Sequence, residues 1–276
     1  MKHLDTKLRI TGFTRTELLV TLATLALLAA ATRPVWGNGG LSKSLLCLDN
    51  LRRLQGAWLL YTTETAGVMP GNYHGGFVPG ADAAERPWAT GWLDWQTRPD
   101  NTNTTYLTEP RYASLAVYLN RDATAYKCPA DDYLSPTQLA QGWAVRVRTY
   151  SMNCFMGQGN QTSGPLNFSY TIFRKLADFR KLSPQQALVF LEEHPDSMND
   201  PLFWAPNSNQ NWPDVPGALH EGATWLTFAD GHVEARRWTD PKLLQPVKYQ
   251  YNNNLTVTPN HPDLVWFLTH ASEPVR

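Results

Sequence analysis

Gly12-Phe13-Thr14-Arg15-Thr16-Glu17 runs without a break into Leu18-Leu19-Val20-Thr21-Leu22-Ala23-Thr24-Leu25-Ala26-Leu27-Leu28-Ala29-Ala30-Ala31, and the remaining residues hang from this stretch. A helix from Phe13 to Arg33 would be roughly 31 Å long at about 1.5 Å per residue, close to the hydrocarbon thickness of a bilayer. Glu17 stands at the mouth of the apolar run. A lone carboxylate there costs on the order of 2.5–3.5 kcal/mol toward the bilayer centre and less near an interface. Such a charge needs a partner.

A short basic leader ending in Gly, then Phe, then Glu at the fifth following position resembles the N-terminus of type IV prepilins and type II secretion pseudopilins. The resemblance implies cleavage by a prepilin peptidase between Gly12 and Phe13 and methylation of the new Phe13 amine. It also implies that Glu17 pairs with the terminal amine of a neighbouring subunit during filament assembly, where two desolvated opposite charges relieve one another. Pro34 falls where pilins commonly kink their helix. Two plainer readings are an ordinary signal peptide cut after Ala29-Ala30-Ala31 and an anchor helix that is never cleaved. The expected organisation is a leader over 1–12, a transmembrane and assembly helix over 13–34, and an extracytoplasmic domain over 35–276.

Composition narrows the function class. The 24 Lys and Arg residues balance 24 Asp and Glu. Lys2, Lys7 and Arg9 lie in the leader against Asp5, so the mature chain is slightly acidic, which argues against a nucleic-acid partner. The basic residues preceding the apolar run, Arg15 included, keep the N-terminus cytoplasmic and export the residues beyond Arg33. Cys47, Cys128 and Cys154 therefore lie where disulfides persist. Cys128 and Cys154 both sit in loop-like surroundings, and a bridge between them would contribute about 3.5 kcal/mol in the chain-entropy model. The alternative is three small buried side chains. No pair has metal-ligand spacing, so no structural zinc is expected.

Beyond the apolar run, Val35-Trp36-Gly37-Asn38-Gly39-Gly40 breaks helix. Ser42 then reads as an N-cap, with Leu45, Leu48, Leu51, Leu54 or Gln55, Trp58 and Leu59 at helical spacing through about Thr63. Turn signals fill 64–120, together with Trp88, Trp92 and Trp95. Buried, these indoles make a local aromatic core; exposed, they would stack on sugar rings. Arg111 to Leu119 reads as one short helix.

Three loop landmarks come next along the chain: Tyr126-Lys127-Cys128-Pro129-Ala130-Asp131, Arg148-Thr149-Tyr150-Ser151-Met152-Asn153, and Glu192 to Asp200 after the buried strand Val189-Phe190-Leu191. Together with His220, nine residues, then Asp230-Gly231, they resemble the H-X9-DG group of prepilin-like proteins. Asp230-Gly231 reads as a type I′ hairpin turn joining strands Ala223–Ala229 and His232–Trp238. That turn pairs Phe228 with Val233, Leu226 with Ala235 and Trp225 with Arg236, the last as a guanidinium-indole stack. Ten residues of extended strand span roughly 33 Å, so His220 and Asp230 share no chemistry, and His220 reads as a loop anchor.

The acidic segment 192–200 is the better ion candidate, for calcium, with a solvated acidic turn or an interaction loop as the alternative. No sequence pattern specifies an enzyme. The expectation is thus a type IV pilin-like α+β fold: a long N-terminal membrane and amphipathic helix packed on an antiparallel sheet with large loop insertions. Its partners would be prepilin peptidase, other pilin or pseudopilin subunits and the bacterial inner membrane. The rival expectation is a surface carbohydrate-binding module built on the Trp-rich insertion.

Overall fold

The structure, a computed structural model, describes residues 14–31, 42–76, 86–160, 169–206, 208–252 and 254–275. Gly12, Phe13, Pro34 and the 35–40 break lie outside the described residues. The chain divides into two units, Met1–Gly40 and Leu41–Arg276.

The first unit carries helix α1, Arg15–Ala31. It opens with a reciprocal cap: the Thr14 amide donates to Glu17 Oε2 at 2.8 Å and the Glu17 amide donates to Thr14 Oγ1 at 3.3 Å. Two of the helix's first orphan donors are satisfied in this way. Thr21 and Thr24 turn their hydroxyls back onto Glu17 O and Val20 O at 2.7 and 2.8 Å, so neither offers a free donor sideways. Leu18, Leu19, Val20 and Leu22 are exposed. At 17 residues the helix is about 25 Å long. No helix among the described residues is long and apolar enough to cross a membrane.

The second unit begins with α2, Lys43–Glu64, capped by Ser42, whose hydroxyl accepts from the Leu45 amide at 3.3 Å. Its buried stripe is Cys47, Leu51, Leu54, Gln55, Trp58 and Thr62, with Ala57 beside it. Leu45, expected on that face, is exposed. The described residues between α2 and the first strand form no strand. They run through α3 (Thr105–Thr108), 3-10 turns at Ser114–Leu119 and Ala123–Tyr126, and α4 (Pro136–Ala140). The helix expected at 111–119 is thus shorter and tighter, and it ends at Asn120 and Arg121, both with positive φ.

Strands β1 (Tyr150–Asn153), β2 (Leu188–Glu192), β3 (Leu202–Phe203), β5 (Ala223–Phe228) and β6 (Val233–Arg237) form one sheet in the order β3-β1-β2-β5-β6. β4 (Asn211–Trp212) and β7 (Leu255–Thr256) make a separate antiparallel pair. The fold is α+β, but the sheet is mixed rather than antiparallel, because β3 runs parallel to β1. One apolar cluster, with Leu51, Leu54, Trp58, Tyr126, Tyr150 and Phe190, fills the α2 side. A second, with Leu191, Phe203, Trp212, Leu226 and Phe228, packs against α5 (Pro262–Ala271) through Leu264 and Phe267.

A bulge in β2 sets which residues face which cluster. Leu188 pairs with Phe228 and Leu191 with Leu226, so three steps along β2 match two along β5. Val189 and Phe190 consequently share the α2 side, and the Phe190 amide finds Thr227 Oγ1 at 3.0 Å instead of a ladder carbonyl.

The hairpin differs from expectation by one residue. Its pairs are Thr227 with Val233, Leu226 with Glu234 and Trp225 with Ala235. The Gly231 amide donates to Phe228 O at 2.9 Å and the Phe228 amide to His232 O at 3.1 Å, which closes a three-residue loop with Gly231 at φ 101°. A three-residue loop of this kind ends in a left-handed residue, whereas a type I′ turn has two central residues. One residue of slip exchanges the faces of a strand. Arg236 accordingly lies over Trp266 at 3.8 Å rather than over Trp225. Gly231 is further constrained by α2: a Cβ there would sit 2.7 Å from Leu59 Cδ1.

Candidate functional site

Four polar side chains from four separate stretches converge at the α2 edge of the sheet. Cys47 opens the buried stripe of α2, and its carbonyl accepts from Tyr150 Oη at 2.9 Å, which ties the helix to β1. Cys128 comes after the Ala123–Tyr126 turn, which Asn50 holds by donating to Lys127 O at 2.8 Å. Glu192 ends β2 on the α2 side because the bulge has already shifted the alternation. His220 precedes a tight turn in which Glu221 and Gly222 have φ of 53° and 83°, and its backbone exchanges hydrogen bonds with Ala223. Two consecutive positive φ values are the type I′ signature, so that turn lies here and not at Asp230-Gly231.

Cys47 and Cys128 form a disulfide with Cα atoms 4.5 Å apart. This corrects the expected Cys128–Cys154 bridge. Cys154 is a buried thiol in the α5-side cluster, accepting from the Ala205 amide at 3.4 Å, and the sheet separates it from Cys128. Burial pushes its thiol up to about 12. His220 Nε2 lies 2.8 Å from Glu192 Oε1 and 3.5 Å from Cys128 Sγ. Glu192 Oε2 accepts from the Trp225 amide at 2.9 Å. Glu192 is fully buried, and the His220 side chain is 9% exposed. Burial raises the Glu192 carboxyl above its usual range, and the His220 contact opposes that rise. A cleft lined by Lys43, Ser44, Ala130, Leu219, His220 and Glu221 opens beside the imidazole.

The neighbouring residue, Glu193, faces the other side of the sheet. It accepts from Ser151 at 2.5 Å and Ser197 at 2.8 Å. Arg148, fully enclosed, donates to Tyr150 O, Ser151 Oγ and Asn199 O. Asp200 accepts from the Gly75 and Leu202 amides, and Asp214 from the Trp204 amide at 2.7 Å. Burial pushes the Glu193 carboxyl up to about 7 and that of Asp200 up to about 6, with Arg148 pulling both down. Asp214 rises well above its usual range, through burial first and the nearby carboxylates next.

The 192–200 segment is therefore not a solvated turn. Each acid takes its own protein donors, and Asp196 accepts from the Lys248 amide at 2.7 Å. Among the described residues, one group of three or more His, Cys, Asp and Glu side chains brings its ligand atoms within 4.8 Å of one another: Cys47, Cys128, Glu192 and His220. The other two landmarks adjoin this network: Asp131 receives Lys127 at 2.7 Å and Thr149 Oγ1 at 2.8 Å, and Arg146 stacks over Trp95 at 3.9 Å.

Trp88 is fully buried, 4.9 Å from Phe190, and Trp95 is buried beneath Arg146. Neither presents an open indole face for sugar stacking, which removes two of the three rings on which the carbohydrate expectation rests. Of the signature residues, His220 joins the four-residue cluster, whereas Asp230 binds His232 within its own turn. The pairing of His220 with Glu192 and Cys128 has no spacing signal, since the contacts cross 28 and 92 positions. No known family profile, curated protein or solved structure matches the chain.

Proposed function

We propose that the chain is a pseudopilin-like structural subunit, processed at Gly12-Phe13, held in the bacterial inner membrane by the helix that begins near Arg15, and assembled through that helix into a filament of the type II secretion or type IV pilus kind. The observation that carries the reading is α1 itself. The Thr21 and Thr24 hydroxyls are bonded to its own carbonyls, Leu18, Leu19, Val20 and Leu22 are exposed, and its one carboxylate stands in the first turn. Such a surface suits lipid or other helices better than water. The Cys47–Cys128 bridge agrees with export of the second unit. The polar network around Glu193 is enclosed by donors of its own fold, as in a rigid head domain.

The decisive measurement is the mass of the membrane-extracted chain. A mature N-terminus at Phe13, one methyl group heavier, is expected. A terminus at Thr32 indicates a signal peptide and one at Met1 a static anchor, and either overturns the reading. Glu17→Gln sharpens the test, because a Gln side-chain carbonyl still accepts from the Thr14 amide and keeps the cap. Processing is expected to persist while co-assembly of tagged subunits falls. Undiminished assembly removes the Glu17-to-amine contact.

A further inference from the structure

A buried disulfide has no use for polar company, yet this one has a glutamate and a histidine set against it. Enclosing a carboxyl and an imidazole away from water is costly, and the pair contributes nothing to the S–S bond. Two cysteines, an imidazole and a carboxylate form a donor set in their own right. Two thiolates, one neutral imidazole and one carboxylate oxygen are ligands that zinc takes in tetrahedral geometry, and sulfur excludes calcium and magnesium.

The spacing supports this. Zinc–sulfur bonds of about 2.3 Å and zinc–nitrogen bonds of about 2.0 Å at the tetrahedral angle put the two donor atoms about 3.5 Å apart. Cys128 Sγ and His220 Nε2 are 3.5 Å apart. All four ligand atoms already lie within 4.8 Å of one another. The carboxylate is oriented by the Trp225 amide on its second oxygen, the kind of outer contact that metal ligands use. The cleft beside His220 gives an entry path.

We propose that Cys47, Cys128, Glu192 and His220 bind one Zn2+ when the two cysteines are thiols, so that the disulfide and the metal are alternative occupants of one buried position. The chain is synthesised with both thiols reduced. Zinc binding then displaces one proton from each sulfur, and the proton held between His220 Nε2 and Glu192 Oε1 moves to Nδ1 or to solvent, so that a neutral imidazole nitrogen and a carboxylate oxygen can both face the metal. Opening the bridge again takes two electrons and two protons, which a dithiol supplies while becoming a disulfide itself. The two sulfurs part to about 3.8 Å by side-chain rotation, the separation that two zinc–sulfur bonds at the tetrahedral angle require. This inference is independent of the filament reading and concerns the second unit alone.

The test uses the full chain in detergent under exclusion of oxygen. A water-soluble phosphine cleaves the bridge, taking its oxygen from water and leaving two thiols, and Co2+ is added as the spectroscopic stand-in for zinc. The reduced chain is expected to show thiolate-to-cobalt charge transfer and the strong visible bands of tetrahedral Co2+ at one ion per chain. Zn2+ is expected to bleach both, and the oxidised chain to show neither. His220→Ala and Glu192→Gln should each weaken Zn2+ binding about tenfold or more, while Cys154→Ser leaves it unchanged. Peptide mapping of the Cys47–Cys128 bridge in air reports whether each variant has folded. Should a variant fail that check, the wild-type spectrum decides. A reduced chain without tetrahedral bands overturns the proposal, as does zinc affinity that ignores both the His220 and the Glu192 change in folded protein.

Discussion

Glu192 and Glu193 are adjacent and fully buried, yet they occupy different chemical surroundings. Glu192 points toward α2, meets an imidazole and an amide, and lies within 4.8 Å of the two cysteine sulfurs. Glu193 points toward the α5 side and meets two hydroxyls, with Arg148, Asp200 and Asp214 nearby. Burial raises both carboxyls; the His220 contact opposes the rise at Glu192, and Ser151, Ser197 and Arg148 oppose it at Glu193, where Asp200 adds to it. With burial shared, the neighbours are what distinguish the two acids.

The comparison can be broken most forcefully on the Glu192 side. Replacing Cys47 by Ala removes a bridge that spans 81 residues, worth about 3–4.5 kcal/mol in the chain-entropy model. Denaturant unfolding of the oxidised wild type against Cys47→Ala checks this. A loss below about 1 kcal/mol would mean that the α2 edge is held by packing alone.

The Glu193 side should answer to pH instead. Its carboxyl is raised from 4.5 to about 7, and that of Asp200 from 3.8 to about 6, so the folded chain holds protons that the unfolded chain has already released. Wherever the folded state binds more protons, stability falls as pH rises. Melting temperature should thus decline as pH rises from about 4 to about 7. Glu193→Gln should remove a large share of that slope, with Asp200 holding much of the rest. A slope that Glu193→Gln leaves untouched would overturn this assignment.

The smallest expected effect lies at the hairpin tip beside α2. Gly231→Ala forces a side chain into a left-handed conformation and against Leu59, and a loss of about 1–2 kcal/mol is expected, measurable by the same unfolding curves. An unchanged midpoint would show that the tip is free to move away from the helix.

Local features are the legible ones. Ser42 as a cap, the helical stripe after it, Val189-Phe190-Leu191 as a buried strand and the strand pair flanking Asp230-Gly231 are all written in adjacent residues. The register of that pair is not, because Asp-Gly serves a two-residue and a three-residue loop equally well and the sequence does not count the loop. The partner of Cys128 is hidden for another reason. Cys47 reads as one more apolar helix position, and nothing local says that α2 passes over the Cys128 turn. The Glu192–His220 contact and the parallel β1–β3 pair are likewise invisible, since both depend on how distant elements dock. Every landmark of the site stands out singly in the sequence; their convergence is a tertiary fact.

The bulge at Val189–Phe190 makes the two glutamate addresses a matter of phase. Deleting one residue there would leave every side chain of both sites in the sequence, in the same order, while delivering Glu193 to the cysteines and Glu192 to the carboxylate cluster. Two chains could then share all the site residues in an alignment and still differ in chemistry. For this fold, the length of one strand is as much a part of the site's specification as the names of the residues that line it.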